Sequence, residues 1–515
     1  MRRIGIDVGG TNTDAVLIED GKVAGAVKAP TSADVTGGIL DSLKRLAATG
    51  ALAGKRIDGV MIGTTHFINA VVQRRHLTKV GALRLGMPAS ASLPPFCDWP
   101  EDLAALVRGG VWMVEGGHEY DGRPFMPLDV VAVANAAREM KALGLKAVAI
   151  SSIFSPLDPS HEREAAAIVA RELPDASITL SSDLGRIGLL ERENAGLLNA
   201  GLAELARDTI AAFERSIRES GIEAALYITQ NDGTVVEAAQ ARRLPVYSFA
   251  SGATNSMRGG AYLSGLDDAM VIDVGGTTTD VGQLRNGFPR EANSVVKVGG
   301  VRTLFRMPDL TSIGLGGGSH VVLDPIKVGP VSVGYRLLQE GVAFGGSQLT
   351  TSDIAIASGR LGIGERSRVA HLDAATCARV FAECKRMIEE TVDRMKTEAG
   401  PVPLVAVGGG AFLVSDELEG VSRVVRVAHG DCANAVGAAI AQVSGECDQI
   451  FRDLTRVAAI AQASDIAADR AVAAGADRAT LKTIETEDMP IAYLPGNAVR
   501  VRVRVVGDVA DRGGL

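Results

Sequence analysis

The sequence predicts an α/β fold made of two related halves, and three observations carry that expectation. Apolar runs of strand length alternate with amphipathic helical stretches along all 515 residues. A glycine–threonine hairpin, "IDVGGTNTD" at 6–14, returns as "IDVGGTTTD" at 272–280. The composition, 46% hydrophobic and 22% charged with 60 glycines, is that of a globular enzyme with many tight loops rather than of a fibrous or disordered chain. A chain this long forms more than one domain.

Taken in order, residues 3–8 and 14–19 read as strands joined by the first glycine loop, with a hairpin turn at 19–23. "SADVTGGILDSLKRLAATG" reads as an amphipathic helix starting near Ser32. "DGVMIGTTH" is a buried strand ending in a polar loop, and "FINAVVQRR" continues it as a helix. Residues 145–154 form another buried strand, followed by a proline-broken turn and a helix. Residues 184–219 read as a long helical region linking the halves. The second half repeats the plan: "ALYITQNDG" as strand and turn, then the second hairpin, then glycine loops at 314–319 and 345–347. A long helix leads into "VPLVAVGGGAF", and 432–443 reads as one further helix. The closing "AVRVRVRVVGDVA" alternates with period two, which predicts an exposed edge strand or hairpin with its arginines on one solvated face. The expected division is 1–180, first lobe; 181–445, second lobe; 446–515, a C-terminal helix and strand pair.

Charge and cysteine usage remove several function classes. The net charge of −8 is spread along the chain without a basic tract, which argues against nucleic acid and anionic membranes as partners. The five cysteines are scattered and lack a C-x-x-C pair, so reduced thiols in a cytoplasm are expected. No signal peptide opens the chain, and every long uncharged stretch is broken by Gly or Pro, which excludes a membrane span. The seven histidines form no H-x-H or H-x₃-H pair, which argues against a transition-metal site.

Each hairpin puts three tools together. An Asp at the strand end can hold a hydrated Mg²⁺, paired glycines let backbone N–H groups approach phosphate oxygens, and Thr hydroxyls donate to the same oxygens. One Gly-Gly hairpin is as readily a plain turn. Two copies with the same flanking Asp and Thr suit a triphosphate gripped from both sides. A third glycine stretch, Gly408-Gly409-Gly410 after an apolar strand, offers bare backbone to a flat ring.

Two such hairpins followed by a late apolar-GGG resemble the actin-like ATPase superfamily, with its sugar kinases and heat-shock ATPases. "IGTTHFINAVVQRR", "LLERENAGLLNAGL", "YITQNDGTVV", "SGATNSMRGGAYLSG", "IGLGGGSHV" and "TTSDIAIASGRLG" narrow the resemblance to the hydantoinase/oxoprolinase family, from residue 3 to about 505. The resemblance implies a two-lobed actin-like (ribonuclease H-like) fold, with duplicated mixed sheets, flanking helices and a nucleotide cleft. It implies ATP and Mg²⁺, a cyclic amide substrate (hydantoin, 5-oxoproline or lactam) opened after phosphorylation, and a second subunit, B-type or unrelated, in an oligomeric enzyme. A carboxylase subunit of the same family and a sugar-kinase-like enzyme are the enzymatic alternatives. A chaperone-like or reductive-activator ATPase is disfavoured by the cysteines and by the lack of a β-rich appendage.

By the same resemblance, Asp7 and Asp273 hold the metal and act in catalysis. Gly9, Gly10, Thr11, Asn12 and Thr13 face the phosphates from one half, and Gly275, Gly276, Thr277 and Thr278 from the other. Gly408, Gly409 and Gly410 line the adenosine, while Thr64, Thr65, His66 and Asn69 are the substrate candidates. Asp14 and Asp280 are either general bases or loop caps. Two departures are visible. Ile62 stands where many relatives have a histidine, and the chain is shorter at its C-terminus, which raises the expectation of a partner. Outside these motifs, Asp232 is either a plain Asp-Gly turn or a site residue. Glu191, Arg192, Glu193 and Asn194 read first as a solvated or salt-bridged helix face. Arg302 and Arg306 pair with phosphate or with Asp309.

Overall fold

The computed structural model describes the chain except residues 10–11, 31–34, 55, 185–186, 293–294, 305, 492–495 and 511–515. Gly10, Thr11 and the expected helix start at Ser32 therefore lie outside the described residues. The chain opens with β1 (Arg2–Val8), β2 (Asn12–Glu19), β3 (Lys22–Pro30) and β4 (Gly59–Thr64). Next come β5 (Val80–Met87), β6 (Arg108–Glu115), β7 (Ala147–Ser152) and β8 (Ser177–Leu180). These are followed by β9 (Leu226–Thr229), β10 (Thr234–Glu237), β11 (Ala269–Val274), β12 (Thr279–Arg285) and β13 (Phe288–Pro289). Short pieces β14 (Val296–Val298), β15 (Val301–Thr303), β16 (Leu310–Ile313), β17 (Ser319–Leu323) and β18 (Ile326–Ser332) precede β19 (Val402–Val407) and β20 (Val421–Arg426). The last strands are β21 (Gln442–Phe451), β22 (Lys482–Pro490) and β23 (Val499–Gly507).

Two sheets share one plan. The first runs β22-β23-β21-β10-β9-β4-β1-β2-β3, and the second β13-β12-β11-β19-β20. In each, a first strand pairs antiparallel with the next and parallel with the fourth, giving a third-second-first-fourth-fifth core. The duplicated hairpin thus sits on a duplicated sheet. A third sheet, β6-β5-β7-β8, is all parallel. Its helices Val130–Ala142 and Ser160–Glu172 pack on it through Val133, Ala137, Ala165 and Val169. Sheet membership does not run linearly along the chain, since β9, β10 and β21 to β23 join the sheet that β1 begins.

All seven residues of β1 are buried. Ile4, Ile6 and Val8 meet Ile39, Leu43 and Leu46 of the Val35–Ala48 helix, an i, i+4, i+7 stripe. Two helices, Ser251–Ser264 and Ala433–Ala439, link the two sheets and pack on each other at near-backbone distance. A Cβ on Gly259 would lie 1.9 Å from the Ala433 carbonyl oxygen, and one on Gly437 1.8 Å from that of Asn255. Only glycine permits that approach.

The structure corrects several sequence expectations. The region 184–219 is two helices, Leu189–Gly201 and Ala203–Glu219. Of the two readings of its charged cluster, the salt-bridged one holds and the solvated one does not: Arg192, Glu193 and Asn194 are buried. Glu193 pairs with buried Arg84, the Arg192 guanidinium donates to Ser181 Oγ at 2.9 Å, and Asn194 accepts from Trp99 Nε1 at 2.7 Å. The helix expected at 432–443 stops at Ala439, and Gln442 already begins β21.

The arginine-rich strand is no edge. β23 lies between β21 and β22, with Val501, Val503 and Val505 packed against Ala459, Ala463 and Ala467 of the Arg456–Ala473 helix. Arg502 and Arg504 are buried on the opposite face, where carboxylates from distant segments neutralise them. Arg504 pairs with Asp232 at 2.8 Å and Arg502 with Glu291 at 2.8 Å, and Arg306 joins Asp232, Glu291 and Glu446. Asp232 and Arg306 therefore belong to this network, Asp309 pairs instead with Arg290, and Arg302 with Asp98 and Glu191.

The network predicts acid sensitivity. Burial pushes Glu446 up, but Arg306 and Arg502 override it and hold the carboxyl at about 2. A folded value below the ordinary 4.5 means stability is complete above pH 4.5 and is lost as pH falls towards 2. The melting temperature should drop steeply in that window, and Glu446→Gln should lower it at pH 7 while flattening the slope. An unchanged slope in the variant would remove Glu446 from the account.

Candidate functional site

Over the described residues the two glycine hairpins share one register and one turn hydrogen bond. In the first, Asp7 lies opposite Asp14, Val8 opposite Thr13, and Gly9 N–H donates to Asn12 O at 3.1 Å. In the second, Asp273 lies opposite Asp280, Val274 opposite Thr279, and Gly275 N–H donates to Thr278 O at 2.9 Å. A side chain at the first glycine of each turn would be crowded: a Cβ on Gly9 would be 3.0 Å from Asn12 O and one on Gly275 3.3 Å from Thr278 O.

Asp7 is buried at the carboxyl end of β1. Its Oδ2 accepts from Asn434 Nδ2 at 3.2 Å, while its Oδ1 has no partner among the described residues. That oxygen lies beside Gly63, where an added Cβ would sit 3.0 Å from it and 2.4 Å from Asn255 Nδ2. Burial, then the charge of Asp14 and more weakly that of Asp273, pushes the Asp7 carboxyl up to about 7. Asp14 is also pushed up by burial, against the pull of Lys28, whose Nζ donates to Asp14 Oδ2 at 3.0 Å. Asp14 Oδ1 too is buried without a partner among the described residues. Lys28 Nζ also donates to Asp431 O at 2.6 Å, tying β3 to the segment that enters the Ala433–Ala439 helix.

Burial likewise raises Asp273 to about 6, with the Ser256 hydroxyl opposing and the Asp280 charge adding. Asp280 is raised by burial and accepts from Ser312 Oγ. Beneath this hairpin lies the glycine loop at 314–318, whose role the sequence left open. Gly317 N–H donates to Gly275 O at 3.0 Å and Gly318 N–H to Gly276 O at 2.7 Å. A Cβ on Gly316 would reach 2.6 Å from Thr277 N, so the loop supports the hairpin through direct backbone contact. Gly276, Thr277 and Thr278 remain exposed, as does Asn12 across the cleft, whereas Thr13 is fully buried.

The triple glycine divides by role. Gly408, at φ +86°, would place a Cβ 2.2 Å from Asp273 Oδ1, and Gly410 would place one 2.6 Å from Val274 Cγ1. Both make room for β11. Gly409 alone faces open space.

The substrate candidates are less uniform. Thr64 ends β4 beside Val8, is buried, and its Oγ1 accepts from His66 N–H at 3.1 Å at the start of the His66–Gln73 helix. His66 is half-buried, and burial followed by His76 lowers its ring below the usual range. Asn69 is exposed, and its amide donates to Thr65 Oγ1 one turn back. Sequence reasoning missed Lys28, Asn434, Asp431, Ser312 and Ser256. They carry no spacing signal, because each reaches the acids from another element. Among the described residues no three His, Cys, Asp or Glu side chains converge as a ready-made metal cage. No helix among them is long and apolar enough to cross a membrane.

A duplicated mixed sheet with an Asp-Val-Gly-Gly hairpin at the end of each first strand defines an actin-like, two-lobed α/β fold. Comparison with known proteins narrows it. Residues 3–173 match the hydantoinase/oxoprolinase N-terminal region and 192–399 the hydantoinase/oxoprolinase domain. The chain belongs to the hydantoinase/oxoprolinase family. The caprolactamase subunit alpha of Pseudomonas jessenii is 28% identical over 394 residues, 70% of this chain and 55% of that protein. The acetone carboxylase beta subunit of Xanthobacter autotrophicus is 27% identical over 391 residues, 68% of this chain and 53% of that one. The chain spans about half the length of the curated relatives it matches. The crystal structure of the ATP-dependent caprolactamase from Pseudomonas jessenii shares the fold, with a TM-score of 0.79, 20% identity, and coverage of 99% of this chain and 88% of that one.

Proposed function

We propose that this chain binds Mg·ATP between its two hairpins and uses it to activate a cyclic amide for ring opening, as one subunit of a larger enzyme. The observation that carries this reading is the pairing of Asp7 and Asp273 at the ends of two identical hairpins. The orphaned Asp7 Oδ1 and the raised carboxyls of both acids fit a hydrated divalent cation, which would return them to the ionised state. Bound magnesium would neutralise phosphate charge.

The chain's own residues do the rest. Deprotonated Asp7 and Asp273 would hold the metal's water shell, with Asn434 fixing the Asp7 side chain. Asn12, Thr277 and Thr278 are exposed towards the phosphates, and Lys28 pairs with Asp14. Such a site acts by positioning and electrostatics rather than by a protein nucleophile. An unstrained amide is a poor electrophile; a phosphoryl group on its oxygen would hold it as the imidate, to whose carbon water can add before the ring C–N bond breaks and phosphate is released. The five free cysteines fit a cytoplasmic setting.

Near-equal identity to a caprolactamase and a ketone carboxylase subunit supports one second reading, activation of a ketone for carboxylation. Phosphate release from Mg·ATP decides between them, measured with hydantoins, 5-oxoproline, lactams, sugars, and ketones with bicarbonate. Stimulation by a cyclic amide supports the first reading and stimulation by a ketone the second. A stable sugar phosphate would overturn both.

The glycines at 408–410 give a sharper test. Gly409→Phe should weaken ATP binding at least about tenfold, with the melting temperature unchanged. Gly408→Ala, strained at positive φ and pressed on Asp273, should lower the melting temperature first. Normal ATP affinity in Gly409→Phe would move the nucleotide base elsewhere.

A further inference from the structure

A cavity lies at the end of β1 away from Asp7. It has a volume of 590 Å³, enough for a small metabolite, and is bordered by Arg3, Arg258, Tyr262, Asp267, Gln442 and Asp508. The two linking helices run from one site to the other. Asn255, Ser256 and Asn434, near their amino ends, meet the acid pair, while Gly265, Ala439 and Ile440, at their carboxyl ends, border this cavity. Arg3 and Asp7 likewise stand at opposite ends of β1.

The walls carry buried positive charge that no carboxylate pairs with directly among the described residues. Arg3 is 3% and Arg258 8% exposed, and neither has a carboxylate within 4.0 Å among the described residues. Arg3 Nη1 makes one long hydrogen bond, 3.4 Å to Ala441 O. Arg258 Nη1 donates to Gly287 O at 2.8 Å and its guanidinium stacks 3.8 Å from the Phe288 ring, but its Nε is buried without a partner. A buried guanidinium without a counter-ion is costly, and a carboxylate matches its fork. Burial lowers both arginines, with the charge of Arg504 adding at Arg258, which falls to about 10; Asp508 acts on Arg3, and Asp232 and Asp267 on Arg258, in the opposite sense without overcoming burial.

The same cavity carries the opposite charge at its rim. Asp267 is exposed there, and Asp508 accepts from Gln442 Nε2 at 3.1 Å. The carboxyl ends of the linking helices add partial negative charge. Ile18, Ala261 and Ile440 supply an apolar middle. A simple anion would meet repulsion on one side, and a simple cation on the other.

We propose that this cavity is a second ligand site, for a small amino acid whose carboxylate pairs with Arg3 and Arg258 and whose ammonium faces Asp267 and Asp508. Bound there, it would join β1 to the Ser251–Ser264 helix and so stiffen the link between the lobes. Opening a lactam or 5-oxoproline yields such a zwitterion, so the site would sense the product. That last connection rests on the proposed function, whereas the binding itself does not.

The test is calorimetric titration and thermal melting of the full chain without nucleotide, using 6-aminohexanoate, 5-aminopentanoate and L-glutamate, with hexanoate and inorganic phosphate as controls. One amino acid should bind and raise the melting temperature, with hexanoate and phosphate at least about tenfold weaker. Arg3→Met and Arg258→Met should each weaken binding at least about tenfold while leaving the unliganded protein as stable or more so, and Arg3→Lys should restore part of it. No binding by any of the three amino acids, equal binding of hexanoate, or binding that survives both Met variants would overturn the proposal. Because the readout needs no ATP, these outcomes are independent of whether a cyclic amide stimulates phosphate release.

Discussion

Replacing Asp273 or Asp7 by Asn is expected to lower substrate-stimulated phosphate release roughly 100-fold or more, while making the nucleotide-free protein more stable. Both effects come from the same charge. Asp7 is held at about 7 by burial and by Asp14, well above its ordinary 3.8. A carboxyl whose folded value is raised favours folding while protonated, and that contribution is lost as pH rises through 7. At pH 8 the ionised group therefore opposes folding, by about 4 kcal/mol at most. Asn removes the charge and keeps the shape. The gain in melting temperature should grow from pH 4 to 7 and level off above. Mg·ATP should reverse the order, stabilising the native protein and not the variants. Full stimulated activity in Asp273→Asn, or a variant that melts lower at pH 8, would refute the assignment.

Gly437→Ala is expected to cost about 3 kcal/mol or more, a large loss of stability for one methyl group. The added carbon would lie 1.8 Å from the Asn255 carbonyl oxygen, and backbone cannot rotate away as a side chain does. Helix propensity favours Ala over Gly by about 1 kcal/mol, so the packing term must exceed that gain before it shows. Gly259→Ala, with its carbon 1.9 Å from Ala433 O, should behave alike. Gly196→Ala is the control. In the Leu189–Gly201 helix its nearest neighbour would be Thr179 Cγ2 at 3.9 Å, so it should be neutral or slightly stabilising. Denaturant midpoints of the three variants would separate them, and equal midpoints would mean that the linking helices move apart without penalty.

The hairpins were legible because their requirements are local. An Asp at a strand end, a glycine in a tight turn and a matching Asp on the return strand lie within eight residues, so their register can be read from spacing, and the second copy confirms the first. The elements that reach the acids from afar were not legible. Lys28 meets Asp14 only because β3 pairs beside β2, and Asn434 meets Asp7 only because the chain returns more than four hundred residues later. The Val-Arg alternation of β23 was read with the correct period and the wrong surroundings. Period two says that the arginines share a face, but not that Glu291, Glu446 and Asp232 cover it.

Sequence by itself therefore determined the α/β class, the duplication, the two acid–glycine hairpins and the family, because each depends on contacts between near neighbours or on motifs in order. Tertiary structure alone decided which charges are buried and what answers them. It joined β9, β10 and β21 to β23 to the first sheet, closed the carboxylate–arginine network, and left Arg3 and Arg258 facing a cavity. The physical reason is that desolvation depends on everything packed around a group. Packing is set by segments whose separation along the chain leaves no trace in local spacing.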